Sequence, residues 1–208
     1  SKINNKENYY TKTEIDNMDK IVSYSNDKSP GYFVVWKNDG TIWEYGTTSD
    51  SRVETQNDSK VILKWMLSKI YDRNGNAILF SYDKEIDQSE AYINNIRYTV
   101  NEDACVDAAY KVSFVYEKKQ YDGCSGYVYG NKVSNDRLLK NILIHNNYTG
   151  KIIFDYSMKY YNPGIYGNNE FVYHRLKSVG LTAGEEKINP TRILWNAEEK
   201  HYDKQYLD

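Results

Sequence analysis

The chain has 208 residues, long enough to bury a core of its own, and its 27 Lys+Arg against 29 Asp+Glu (formal net charge −2) offer nucleic acid no electrostatic footing. No apolar stretch is long enough to cross a bilayer as a helix and no basic amphipathic segment marks a membrane surface, so membrane insertion is not expected. Tyrosine is the unusual residue, 22 against 5 Phe and 4 Trp, and a large ring with a polar tip suits the half-buried faces of sheets.

In chain order, residues 1–19 form a polar N-terminal segment. Stretches 20–24 and 32–36 read as an opening pair of strands, and Asn38-Asp39-Gly40 separates 32–37 from 41–45 as a hairpin turn. Segment 61–71 is ambiguous. Its apolar residues at 62, 63, 66, 67 and 70 fit a helix capped by Asp58 or Ser59, yet the turn that follows needs an incoming strand. At most one short helix, within 55–66, is expected.

The turn Asn74-Gly75-Asn76 follows, and an Asn-Gly pair between apolar runs is a strong hairpin signal because a type I′ turn needs positive φ at both central residues. Beyond it begins a recurring phrase of apolar, any, aromatic, any, aromatic. It reads Ile78-x-Phe80-x-Tyr82, then Val112-x-Phe114-x-Tyr116, then Ile152-x-Phe154-x-Tyr156. Period-two alternation places the large residues on one face of a strand and leaves the other face free to be more polar. Each phrase follows a first strand of similar pattern: Leu67-Ser-Lys-Ile70, Ile93-Asn-Asn-Ile96, Leu139-Lys-Asn-Ile142, and in the last unit Leu176-Lys-Ser-Val179. Residues 147–150 separate 138–145 from 151–161, and 180–189 are expected to separate 176–179 from 191–195.

These units predict an all-β fold of stacked antiparallel hairpins, one domain over 20–196, with a polar C-terminal tail at 197–208. The polar runs at both ends, 1–8 and 197–208, are expected of a piece of something longer. Cys105 and Cys124 flank the strand at 110–118. Extended, that strand sets its ends roughly 25–30 Å apart, whereas a bridge needs Cα atoms within about 7 Å, so both thiols are expected to be unpaired.

Chemical motifs are sparse. His145, His174 and His201 belong to no metal-binding pattern, and no CxxC, G-x-S-x-G, Walker A or G-x-G-x-x-G sequence occurs. A lone loop cysteine with a distant histidine is more often inert than nucleophilic. Asp72 and Asp83 bracket a hairpin, where side-chain hydrogen bonds that fix the turn explain them better than a glycosidase carboxylate pair does. Stretches 50–59 and 101–107 lack the alternate-residue spacing of a calcium loop. Asn57-Asp-Ser59 and Asn147-Tyr-Thr149 match a glycosylation sequon that arises often by chance. No enzyme activity, cofactor or metal is expected.

The stretch Trp65-Met-Leu-Ser-Lys-Ile-Tyr-Asp-Arg-Asn-Gly-Asn-Ala-Ile-Leu-Phe-Ser-Tyr-Asp83 resembles the Rhs/YD-repeat phrase, in which Asp-x-x-Gly-Asn leads to a strand ending in Tyr-Asp. Its surroundings resemble the region of Tc insecticidal toxin B components near the start of the Rhs shell. The matching blocks run in order: Tyr32-Phe-Val-Val-Trp-Lys-Asn-Asp-Gly40, Glu44-Tyr-Gly46, the Trp65 block, Arg137-Leu138, Arg175-Leu176 and Pro190-Thr-Arg-Ile-Leu-Trp195. The resemblance implies a twisted, curved sheet of Rhs/YD type, which in that family winds into a hollow shell around a toxic C-terminal segment. This chain holds only a handful of units and lacks the downstream processing segment, so the resemblance assigns no catalytic residue. It implies a structural β-scaffold, secreted or at the cell surface, whose partners are neighbouring repeats of a larger parent chain. The alternative is a carbohydrate- or protein-binding module using loop aromatics such as Tyr161 and Tyr166.

Overall fold

The computed structural model describes residues 8–11, 18–26, 29–55, 61–84, 90–166, 169–171 and 173–195, with the backbone alone at 8–11, 25, 26, 29, 165, 166 and 169–171. Among the described residues there is no helix. The strands are β1 (Asn8–Thr11), β2 (Lys20–Asn26), β3 (Ser29–Trp36), β4 (Ile42–Tyr45), β5 (Arg52–Glu54), β6 (Ile62–Trp65), β7 (Leu67–Tyr71), β8 (Asn76–Lys84) and β9 (Ala91–Asn101). They continue as β10 (Tyr110–Lys118), β11 (Cys124–Val128), β12 (Asn131–Asn135), β13 (Arg137–Asn146), β14 (Ile152–Tyr161), β15 (Gly164–Tyr166), β16 (Asn169–Phe171), β17 (Arg175–Ala183) and β18 (Glu186–Arg192).

Twelve of them form one antiparallel sheet in the order β1-β2-β3-β4-β7-β8-β9-β10-β13-β14-β17-β18. The order is the order of the chain, as stacked hairpins demand. Three two-stranded hairpins, β5–β6, β11–β12 and β15–β16, are inserted after β4, β10 and β14. β1 falls within the stretch read as a polar N-terminal segment.

The ambiguous stretch 61–71 is two strands of different sheets, parted at Met66. The Met66 N–H donates to the Ser51 carbonyl (2.8 Å), and the Met66 carbonyl accepts from the Gly46 N–H (2.8 Å). Its helix-like spacing thus divides between two faces of extended chain. The caps proposed for a helix there, Asp58 and Ser59, lie outside the described residues.

The turn at Gly75 is a hairpin turn but not type I′. Gly75 has φ 78° while Asn74 has no positive φ, and the Gly75 N–H donates back to the Asp72 carbonyl (3.3 Å) as the Asp72 N–H meets the Asn76 carbonyl (3.0 Å). This is a three-residue loop closed by one left-handed glycine. Gly40 (φ 86°) repeats it over 38–40. The Asp72 carboxylate explains the preference, since it accepts the N–H groups of Asn74 (2.8 Å) and Asn76 (3.0 Å) and holds Asn74 out of the left-handed region. A turn with two left-handed residues occurs instead at Tyr129-Gly130 (φ 49° and 77°).

The turn placed at 180–189 is also corrected. β17 runs to Ala183 and pairs it with Glu186 across Gly184-Glu185, so the turn is two residues long. Its polar neighbours mark an exposed strand, not a loop, since every residue of β18 faces solvent.

Register places the repeated phrase on one continuous face. Phe80 opposes Ile96, Ile96 opposes Val112, Val112 opposes Ile144, Ile144 opposes Phe154, and Phe154 opposes Ala183. A second row runs Phe114, Ile142, Tyr156, Leu181, Ile188. The opposite face reads Ser81, Asn95, Ser113, Leu143, Asp155, Thr182, Lys187 along one such row, with the Asn141 amide donating to Asp155 (2.7 Å). Many tyrosines do lie on sheet faces as cross-strand pairs: Tyr24 stacks on Tyr32 (4.6 Å) and Tyr98 on Tyr110 (5.5 Å).

The core is small because the main sheet is one layer thick. Among the described residues the buried apolar ones are Val22, Val34, Val53, Ile62, Ala77, Val100 and Ala108. Ala77, Val100 and Ala108 cluster with Tyr71 and Leu79 on the face opposite the aromatic phrase. The phrase itself stays half-exposed, with Ile78 at 36%, Ile152 at 47% and Phe154 at 36% of full accessibility. Near β3 that side is covered, where Trp65 from the β5–β6 insert packs edge-on against Phe33 (5.1 Å) and donates to the Pro30 carbonyl (3.0 Å).

Candidate functional site

Two inserts converge near one end of β10, β13, β14 and β17. There the strand ends enclose a cleft of about 540 Å³, lined by Glu117, Leu138, Met158, Lys159, Tyr160 and His174 among others. The size suits a small ligand. Tyr160 is fixed by donating to the Leu139 carbonyl (2.7 Å), and burial raises its phenol pKa above the ordinary value. Glu117 is paired with Lys140 (3.1 Å).

Beside the cleft, a pair 52 residues apart in sequence is brought together. The Asp122 carboxylate accepts the backbone N–H of His174 (2.8 Å) and contacts its Nδ1, with both side chains almost wholly buried. Burial pushes the Asp122 carboxyl up, but the hydrogen bonds from His174 and the charge of Lys119 outweigh it and hold the pKa below the usual value. Such a pair orients an imidazole as a catalytic dyad would. Yet among the described residues no serine, threonine or cysteine lines the cleft, and the second contact to the His174 backbone makes the aspartate a staple between the insert after β10 and the start of β17. Sequence reasoning singled out His174 without its partner, and nothing local in the sequence marks Asp122.

The other residues raised by the sequence are dispersed. Tyr161 belongs to β14, not to a loop, and is half-buried with the Lys177 ammonium 4.9 Å from its ring centre. Tyr166 ends β15 opposite Asn169. Asp72, beside Asn76 at the start of β8, and Asp83, near its end, are about 23 Å apart at roughly 3.3 Å per residue, too far to act on one glycosidic bond. Asp83 instead accepts from the Asn94 amide (2.6 Å).

Cys105 and Cys124 are both free and exposed. His145 is set against Lys111; burial and then that charge lower its pKa. His201 and the sequon at Asn57 lie outside the described residues. The other sequon asparagine, Asn147, spends its amide on the Ala108 carbonyl (3.0 Å). In 101–107 the Asn101 side chain closes a turn by accepting from the Ala104 N–H (2.8 Å), and in 50–59 the Asp50 carboxylate accepts the Tyr82 N–H (2.9 Å). Among the described residues no three of His, Cys, Asp and Glu gather as they would around a metal ion.

The family model for SpvB, described as Salmonella virulence plasmid 65kDa B protein, matches residues 5–170. Among solved structures, TcdB2-TccC3 is similar at 12% identity and a TM-score of 0.69, over 86% of this chain and 11% of that one. The N-terminal domain of the effector protein SpvB from Salmonella typhimurium strain LT2 is similar at 12% identity and a TM-score of 0.69, over 86% of this chain and 69% of that one. The Photorhabdus luminescens Tc holotoxin pore is similar at 14% identity and a TM-score of 0.61, over 79% of this chain and 10% of that one. The chain therefore spans about a tenth of the length of the Tc chains it matches. At these identities the likeness is one of fold. No curated protein matches the chain by sequence.

Proposed function

Because this chain belongs to the SpvB family, that of the Salmonella virulence plasmid 65kDa B protein, we propose that it is a wall element of a toxin-related bacterial protein, with a sheet of the Rhs/YD type. In this reading it is a structural scaffold without catalytic turnover. It is secreted or displayed at the cell surface, and it joins neighbouring repeats of a larger parent chain. The observation that carries the reading is the long apolar face from Phe80 to Ala183 and from Phe114 to Ile188, which stays half-exposed over the β8–β18 part of the sheet. A free-standing domain usually covers such a face with a second layer, because burying a large apolar side chain contributes about 1.5–3 kcal/mol. In a wall, that face instead looks into an enclosed space or onto a partner.

The reading also assigns work to the sheet edges. β18 would pair outward with the next hairpin of the parent, apart from position 190, where proline has no N–H to give. Hydrogen exchange on this chain and on a version extended into the following residues of its parent tests the idea. Edge amides of β18 should gain protection in the longer protein, and in a background of Cys105→Ser and Cys124→Ser, Phe154→Cys should lose reactivity toward a maleimide there. Equal exchange and equal labelling in the two would show a closed domain and sink the wall reading. Turnover of glycosides, esters or peptides by the purified chain would overturn its non-enzymatic part.

A further inference from the structure

The two strands of the β11–β12 insert are unlike. β12 buries Asn131 (2% exposed) and Ser134 (6%), and the Ser134 carbonyl accepts the hydroxyl of Tyr92 (3.3 Å). β11, Cys124-Ser-Gly-Tyr-Val128, is exposed at every residue, and among the described residues no strand pairs with its outer edge. An open edge is a template for another strand, and proteins usually guard it with charge or proline. β11 carries neither charge nor proline.

Two more features of this hairpin bear on that edge. Gly126 sits mid-strand, where glycine weakens a strand, yet its φ is not left-handed and an added Cβ would meet nothing within 4 Å. At the tip, Tyr129 is held at φ 49° and is 91% exposed, with Tyr127 beside it at 76%. The positive φ is what the two-residue turn needs, and both tyrosine rings are left in water beside the open edge.

We propose that β11 is a self-pairing edge, through which two copies of this chain associate antiparallel about a two-fold axis at Gly126. The hydrogen-bond phase of the hairpin supports this. The two-residue turn Tyr129-Gly130 makes Val128 and Asn131 the closing hydrogen-bonded pair. Val128, Gly126 and Cys124 therefore turn their peptide groups toward β12, while Ser125 and Tyr127 turn theirs outward.

Centred on Gly126, antiparallel pairing sets Ser125 of one copy opposite Tyr127 of the other, so outward donors and acceptors match on both sides of the axis. Gly126 then faces its own counterpart in a non-hydrogen-bonded pair, where Cα atoms approach to about 4.5 Å and the lack of a side chain lets the strands close. Lys132, the one charge of the hairpin, lies on β12 away from the seam. A five-residue seam buries less than the roughly 1,200 Å² of a stable interface, so the pair is reversible.

The test uses the full chain. Sedimentation equilibrium should show an average mass that rises with concentration toward that of a dimer. In a background of Cys105→Ser and Cys124→Ser, Gly126→Cys should form a disulfide-linked dimer on mild oxidation, because the opposed Cα atoms fall in the 4.4–6.8 Å range of disulfides. Lys132→Cys in the same background, exposed but off the seam, should remain monomeric. Ser125→Lys with Tyr127→Lys should abolish the concentration dependence while leaving far-UV circular dichroism and thermal unfolding of the monomer unchanged, since both side chains lie in water. A monomer at every concentration would overturn the proposal. So would equal cross-linking at 126 and 132, or a dimer that survives the two lysines.

Discussion

Replacing Gly75 by valine separates backbone strain from crowding in the three-residue turn between β7 and β8. At φ 78° a residue with a side chain costs about 1–2 kcal/mol. An added Cβ would also lie 2.7 Å from Cγ and Oδ2 of Asp103. Asp103 is exposed and can swing aside, but the Glu102 N–H donates to the Gly75 carbonyl (2.9 Å) and limits how far that segment retreats. Together these give about 2 kcal/mol, or a fall in Tm of roughly 4–8 °C for a domain of this size. Gly150→Val is the control for strain alone, since Gly150 has φ 67° and open space around it, and it should cost about 1 kcal/mol. Gly126→Ala is the control for neither effect, and at low protein concentration it should be neutral or slightly stabilising, by up to about 0.5 kcal/mol. Urea unfolding followed by tryptophan fluorescence gives all three differences. A Gly75→Val protein within about 0.3 kcal/mol of the parent would show that the turn is not left-handed at 75. A larger loss at Gly150 than at Gly75 would refute the crowding argument.

Asp122, with a native pKa below its unfolded one, contributes stability that is present above about pH 3.9 and lost as pH falls from there through its depressed native value. Asp122→Asn should therefore flatten the acid limb of the stability–pH curve, and parallel limbs would contradict the staple. Burial, followed by the charges of Asp50 and Tyr45, pushes the Tyr82 phenol up to about 12, and its hydroxyl donates to the Leu67 carbonyl (2.7 Å). A raised acid contributes stability that is intact below about pH 10 and lost as pH rises toward 12, so Tyr82→Phe should lessen the alkaline loss. An identical alkaline limb in Tyr82→Phe and parent would refute it. Both cysteines should react with Ellman's reagent in the native, unreduced protein; a count of zero would mean that a bridge joins Cys105 to Cys124.

Much of this architecture follows from local pattern. Alternation at Ile78, Phe80 and Tyr82 and at the two later phrases set the strands, and glycine at 40, 75 and 150 set the turns, because both are decisions of a few adjacent residues. Their chain-order pairing followed as well, since a short turn leaves a strand no neighbour but the one before it. Composition misled where a strand is exposed on both faces: Glu186–Arg192 has a loop's polarity and a strand's backbone. The insert strands β11 and β12, largely exposed, likewise carry no run of alternating apolar residues that would mark them. Of the candidate site, only His174 was legible. Its partner Asp122, 52 residues away, is supplied by two inserts folding toward each other, a contact no local window contains. Sequence alternation also set which residues share a face. Whether that face is buried depends on a second layer, which is a matter of tertiary structure; here the sheet leaves Phe154 and Ile152 to water and buries Ala77 and Val100 on the other side.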